Sequence, residues 1–286
     1  MRRDRHYLGL SPHGFHRIHY SEWGDPDNPR VLICVHGLTR CGRDFDFLAA
    51  ALEADGYRVL CPDVAGRGQS QWLSHSADYN YNQYAADMAA LIARSGAEQV
   101  DWVGTSMGGL IGMALAAQPG SPIRRLVVND VGPFIPQAAL ERIATYVGQT
   151  PVFDDLAALE RYIREISASF GPLDDAQWRH LAVHAARQLP DGRYTFAYDP
   201  AIADNFRTAA DKDIDLWPLW EAIRCPVLLL RGATSDVLTR DTAAAMTQRG
   251  PKASLVEFPI TGHAPMLMDP AQIAVVRDWL LAQQGA

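Results

Sequence analysis

The sequence predicts an α/β fold: a mostly parallel, doubly wound sheet with a helical cap inserted between two core strands. Three observations carry that reading. Short, continuously apolar runs recur along the chain, stretches with helical spacing alternate with them, and one long segment, 133–217, breaks the alternation. Continuous rather than alternating apolar character marks strands covered on both faces. Strand–helix alternation marks helices layered against such a sheet.

In chain order, Phe15, Ile18 and Tyr20 suggest an antiparallel edge. The runs at 31–35 (VLICV), 59–61, 100–103 (VDWV), 126–128 and 227–230 (VLLL) follow, each bounded by Gly, Pro, Asp or Arg. Between them, Tyr84, Met88, Leu91 and Ile92 share one helical face, as do Ile273, Val276 and Leu280. Segment 133–217 holds three amphipathic patterns: Leu140, Ile143 and Val147; Leu156, Leu159, Ile163, Ile166 and Phe170; then Trp178, Leu181, Ala185 and Leu189. Pro151, Gly171-Pro172 and Pro190-Asp191-Gly192 punctuate them. The expected division is a core of 1–132 and 218–286 with an all-helical cap over 133–217.

Composition narrows the function. Of 286 residues, 48% are apolar and 21% charged, an ordinary globular mix. Lys and Arg number 26 against 33 Asp and Glu, a net charge of −7, so no basic field for nucleic acid is present. The N-terminal MRRDRHYLGLSPHG lacks the apolar stretch of a secretory signal, and no apolar run is long enough to span a membrane. A soluble cytoplasmic protein is expected. Cys34, Cys41, Cys61 and Cys225 form no CxxC pair and read as reduced, mostly buried thiols. His6, His13, His16 and His19 read as exposed or hydrogen-bonded side chains, and no metal site is expected.

The strongest chemical signal is Gly104-Thr105-Ser106-Met107-Gly108-Gly109, between a strand-like run and a stretch rich in small residues. This is a G-x-S-x-G pattern in strand–turn–helix context, which exposes the serine at a helix N-terminus. A serine hydroxyl needs a base. His263, in a loop between the strand-like SLVEFPI and the last helix, is the candidate. The base needs a carboxylate to fix its tautomer. Asp236, after the VLLL run, is the expected acid; Asp130, after the 126–128 run, is the alternative. His36-Gly37-Leu38-Thr39-Arg40 follows VLICV at the same level of the sheet.

Together these motifs resemble the α/β-hydrolase superfamily, and more narrowly a capped bacterial serine esterase or lipase-like hydrolase. The resemblance runs from Val31 to the last helix. It implies an oxyanion hole from the backbone N–H groups of Leu38 and Met107, and a structural His36. Asp63-Val64-Ala65-Gly66-Arg67-Gly68-Gln69-Ser70 matches the superfamily's D-x-x-G-x-G-x-S segment and reads as architecture. Met266 and Met268, close to His263, are candidate substrate-lining residues, whereas Trp178, Trp217 and Trp220 read as packing. The implied activity is hydrolysis of carboxylic esters with small to medium acyl groups through an acyl-enzyme, on a small-molecule substrate and without cofactor. A C–C bond (meta-cleavage product) hydrolase, a lactonase, an acyltransferase and a small-molecule receptor with slow turnover are the alternatives. Serine at 106 separates the chain from relatives that use an aspartate nucleophile.

Overall fold

The computed structural model describes residues 2–282. The chain opens with a hairpin, β1 (Arg3–Ser11) and β2 (Gly14–Trp23), followed by β3 (Val31–Val35), α1 (Asp46–Ala54), β4 (Arg58–Pro62), α2 (Tyr81–Ser95), β5 (Val100–Thr105), α3 (Met107–Ala116) and β6 (Ile123–Asn129). A long excursion then carries β7 (Phe134–Ile135), α4 (Gln137–Ala144), α5 (Leu156–Ile166), α6 (Asp175–Ala185), β8 (Ala186–Gln188), β9 (Tyr194–Phe196), α7 (Ile202–Ala209), β10 (Ile214–Asp215) and α8 (Trp217–Ala222). The core resumes with β11 (Val227–Gly232), α9 (Arg240–Met246), β12 (Ser254–Phe258) and α10 (Pro270–Leu281).

Eight strands form one sheet in the order β1-β2-β4-β3-β5-β6-β11-β12. The β1–β2 and β2–β4 pairs are antiparallel and all other pairs parallel. The apolar runs are continuous because both sheet faces are covered. Val31, Ile33 and Val35 pack into one core with Met88, Leu91 and Ile111 of α2 and α3, while Leu32 and Cys34 pack into another with Leu48, Leu52, Val276 and Leu280 of α1 and α10. Helix ends follow local chemistry: Asn80 caps α2 by accepting from Gln83 N–H, and Gly96 closes it at φ 74°.

The excursion between β6 and β11 is helical but not purely so, which corrects the all-helical expectation. The α6 helix stops at Ala185, and the chain turns through Pro190-Asp191-Gly192 into the hairpin β8–β9, so Leu189 lies in the turn. Three residues per strand are too few to show an alternating pattern, yet Tyr194, Thr195 and Phe196 are good strand formers. A second small ladder pairs Ile135 with Ile214 and Phe134 with Asp215, joining the two ends of the excursion. Among the described residues no helix is long and apolar enough to cross a membrane.

Strand order sets the site. β5 lies between β3 and β6, so the loops leaving the C-terminal ends of those strands converge above its end, where α/β sheets bind ligands.

Candidate active site

Ser106 stands at the turn from β5 into α3 with φ 51° and ψ −113°, a left-handed conformation costly for a side chain with a Cβ. Its surroundings hold it there. Its N–H donates to Asn129 O at 2.9 Å, and its carbonyl accepts from Gly109 and Leu110 N–H at 2.8 and 3.1 Å. The flanking glycines are dictated by space: a Cβ at Gly104 would meet Gly108 O at 2.2 Å, and one at Gly108 would meet Val35 O at 2.0 Å. Any side chain there would push α3 away from β5 and β3.

The Ser106 hydroxyl donates to His263 Nε2 at 3.0 Å, and His263 Nδ1–H donates to Asp130 Oδ2 at 2.8 Å. A carboxylate accepts only, which fixes the proton on Nδ1 and leaves the Nε2 lone pair facing the serine. Asp130 is fully buried, follows β6 directly and sits at φ 58°, a turn that aspartate tolerates better than most residues. Its Oδ1 accepts from Gly232 N–H at 2.8 Å.

That geometry corrects the expectation for Asp236. Its carboxylate is half exposed and accepts a two-pronged ion pair from Arg142 of α4, at 2.5 and 2.9 Å. The physical reason lies in how the β11 loop leaves the sheet. Gly232 presses against the His263 loop so tightly that a Cβ would meet Gly262 O at 2.3 Å. β11 therefore supplies a backbone N–H to Asp130, and Asp236, four residues further on, points to the cap.

His36 is buried and neutral: its Nδ1–H donates to Gly37 O at 2.7 Å, Nε2 accepts from Val64 N–H at 2.9 Å, and burial pushes its pKa down to about 4. Asp63 accepts from Gly42 and Gln69 N–H and from His19 Nδ1, knitting the D-x-x-G-x-G-x-S segment to β2 and the Leu38 loop. Met107 opens α3 beside Ser106, and a Cβ at Gly37 would lie 3.8 Å from Ser106 Cβ, so the Leu38 loop adjoins the serine. Met266 lines the cavity above Ser106; Met268 does not, and packs instead with Leu159, Trp178 and Leu181. The four cysteines are unpaired; His16 binds Asp87, His19 binds Asp63 and Asp4, and His13 binds Asp78.

Three residues that sequence reasoning missed hold these loops together. Asn129 Nδ2 donates to Thr105 Oγ1 and to Pro265 O, tying the serine turn to the histidine loop. Ser169, from a short 3₁₀ turn of the cap, donates to His263 O at 2.9 Å and accepts from Gly262 N–H at 2.7 Å. Arg67 is fully buried, and its partners are carbonyls, a hydroxyl and a thioether rather than a carboxylate: Leu38 O at 2.9 Å, Ala65 O at 2.7 Å, Tyr84 OH at 2.9 Å and Met107 Sδ at 3.6 Å. One guanidinium thus touches both residues implicated in the oxyanion hole. No short-range pattern announces any of these three contacts.

The cavity above Ser106 measures about 380 Å³, within the usual range for small-molecule sites. The core contributes its floor, and Leu140, Ile143, Tyr146, Tyr162 and Phe206 of the cap contribute largely apolar walls.

Fold and site define the class. Residues 32–276 match the alpha/beta hydrolase family, and the chain belongs to it. Its sequence is 52% identical over 274 residues, 93% of each chain, to a 3-hydroxybutyrate-oligomer hydrolase of Cupriavidus necator. Among solved structures, a protein from Rickettsia typhi superposes with a TM-score of 0.91 at 33% identity, covering 99% of this chain and 100% of that one. An alpha/beta hydrolase from Novosphingobium aromaticivorans superposes with a TM-score of 0.86 at 40% identity, covering 98% of both. The protein is a hydrolase of this family.

Proposed function

We propose that the protein cleaves the ester bonds of short 3-hydroxy-acid oligomers, of the 3-hydroxybutyrate type, through an acyl-enzyme on Ser106. The observation that carries the proposal is the continuous hydrogen-bonded chain from Ser106 through His263 to Asp130, at 3.0 and 2.8 Å, on the floor of a cavity. The substrate class rests on the Cupriavidus necator relative, whose similarity covers 93% of the chain. A largely apolar pocket of about 380 Å³ suits a few methyl-bearing units rather than a bulk polymer. Residues 133–217 act as the cap that sets this chain-length limit, with Met266 against the acyl group.

In this reading His263 removes the Ser106 proton as the hydroxyl attacks the ester carbonyl carbon. The buried Asp130 carboxylate stabilises the imidazolium that forms. The Leu38 and Met107 N–H groups receive the developing oxyanion, aided by the positive end of α3. His263 then returns the proton to the departing hydroxyl of the next unit. A water activated by the same imidazole hydrolyses the acyl-enzyme and regenerates Ser106.

The test is release of free hydroxy acid from linear 3-hydroxybutyrate dimer and trimer, with p-nitrophenyl butyrate as a general ester. Both classes should turn over in the native protein, and Ser106→Ala should abolish turnover while the circular-dichroism spectrum and thermal midpoint stay in place. Turnover of the simple ester without any of the oligomers would overturn the substrate class. Undiminished turnover in Ser106→Ala would overturn the mechanism.

A further inference from the structure

A second group of chemistry-bearing side chains lies where α6 of the cap meets α1 of the core. His180 and His184 are four residues apart on α6 and share one helical face. Their rings meet edge to face at 4.5 Å between centroids. Asp46, the first residue of α1, faces them, and ligand-capable atoms of all three residues lie within 4.8 Å of one another. The proposed hydrolysis uses none of these residues.

The Asp46 carboxylate is the informative member. Its side chain is more than nine-tenths buried. Oδ2 accepts from Arg43, by Nε at 2.7 Å and by the terminal nitrogen at 2.5 Å. Oδ1 is buried and has no hydrogen-bond partner among the described residues. A buried acceptor left unpaired is destabilising, the more so when it carries charge, so this oxygen calls for a donor or a cation.

We propose that Asp46, His180 and His184 form a binding site for a divalent transition-metal ion of the zinc type, joining the cap to the core. Two imidazoles and one carboxylate match the nitrogen and oxygen preferences of such ions. Magnesium and calcium favour all-oxygen shells and are poor candidates. His180 Nε2–H donates to Arg43 O at 2.8 Å. Ligation through that nitrogen moves the ring proton to Nδ1 and replaces the bond to the carbonyl with a bond to the ion. The Arg43 guanidinium competes, because it shares the carboxylate and carries like charge. Its side chain is 19% exposed, so it has a route to solvent when the ion enters.

The experiment titrates the full-length, chelator-treated protein with zinc chloride by calorimetry, with magnesium chloride as control, and follows the thermal midpoint. The expected result is saturable 1:1 zinc binding with a rise in midpoint, since an ion bound only by the native state stabilises it. His184→Ala and the near-isosteric Asp46→Asn should each weaken binding by at least about tenfold. Arg43→Gln should tighten it, a sign that a purely structural role for the cluster would not produce. Cobalt(II) should give visible absorption of a low-coordinate site in the native protein and lose it in His184→Ala. Zinc binding weaker than about 1 mM, or equal binding in His184→Ala and Asp46→Asn, would overturn the proposal; equal binding would put the ion on other histidines, such as His13 and His75.

Discussion

Two aspartates leave the C-terminal ends of neighbouring strands in the same sheet, and they end in opposite environments. Asp130, after β6, is fully buried, meets His263 and accepts the Gly232 N–H. Asp236, after β11, is half exposed and paired with Arg142. The difference is one of placement rather than residue type. A carboxylate that must orient an imidazole needs low dielectric and a fixed geometry, and only the turn directly after β6 provides both beside the serine. A carboxylate on a longer loop reaches the cap and joins an ion pair that water screens.

The most forceful way to break this comparison is to neutralise each acid in turn. Asp130→Asn should lower kcat by about 10³–10⁴, because the amide favours the wrong imidazole tautomer. Asp236→Asn should change kcat by less than about threefold, the scale of an exposed ion pair. Steady-state kinetics on one ester substrate decide it. A large loss in Asp236→Asn with little in Asp130→Asn would return the acid to β11.

The serine and histidine were legible in the sequence because each announces itself locally. Ser106 lies in a contiguous strand–turn–helix signature with its glycines at fixed offsets, and His263 lies between the last strand and the last helix. The sheet was legible for the same reason, since burial on both faces writes itself into each run. The carboxylate that meets His263 was not, because Asp130 and Asp236 both follow apolar runs in the expected chain order. What separates them is the φ 58° turn at residue 130, the N–H of a glycine 102 residues away and an arginine supplied by α4. Arg67, Asn129 and Ser169 escaped notice on similar grounds, and the β8–β9 hairpin because its strands are three residues long.

Arg67 sharpens the lesson, since it is a buried cation whose partners among the described residues include no carboxylate. Leaving charge in that setting is costly, and the contacts to Leu38 O and Met107 Sδ show what it holds. Arg67→Met should lower kcat by about tenfold to a hundredfold, less than removing an oxyanion donor outright, with KM changed much less. Arg67→Lys should recover part of the loss. Affinity for a boronic acid that mimics the oxyanion should fall in parallel with kcat/KM. A KM effect alone would show that the guanidinium shapes only the pocket.

Other buried carboxylates repeat the Asp130 theme by choosing histidine partners. His16 is bound to Asp87 and His19 to Asp63. Burial lowers both imidazole pKa values, but the carboxylates' hydrogen bonds and charges outweigh it, and both end raised. Asp63 is depressed, its burial outweighed chiefly by His19. A raised histidine contributes stability in full below its unfolded value near ~6.5, and that contribution is lost as pH rises through the folded value. The depressed Asp63 contributes above its ordinary carboxylate range and is lost in acid. The thermal midpoint should therefore fall by a few degrees on going from pH 6 toward pH 9. His16→Gln and His19→Gln should each start lower and flatten that slope; an unchanged slope in both would show that the pairs do not titrate with folding.

The smallest effect belongs to the exposed partner of the comparison. Arg142 and Asp236 have side chains each 47% exposed, and their ion pair links α4 of the cap to the β11 loop of the core. Screening by water limits such a pair to about 0–1 kcal/mol even with two-pronged geometry. A double-mutant cycle with Arg142→Gln and Asp236→Asn, read by denaturant unfolding, should give a coupling in that range that shrinks with added salt. Because Arg142 also lines the cavity, the same cycle on KM separates latch from pocket wall. If the pair acts only as a latch, the Arg142 effect on KM disappears once Asp236 is already replaced. If the guanidinium meets substrate, the effect persists in the Asp236→Asn background, and the β11 aspartate serves the site by aiming an arginine rather than a histidine.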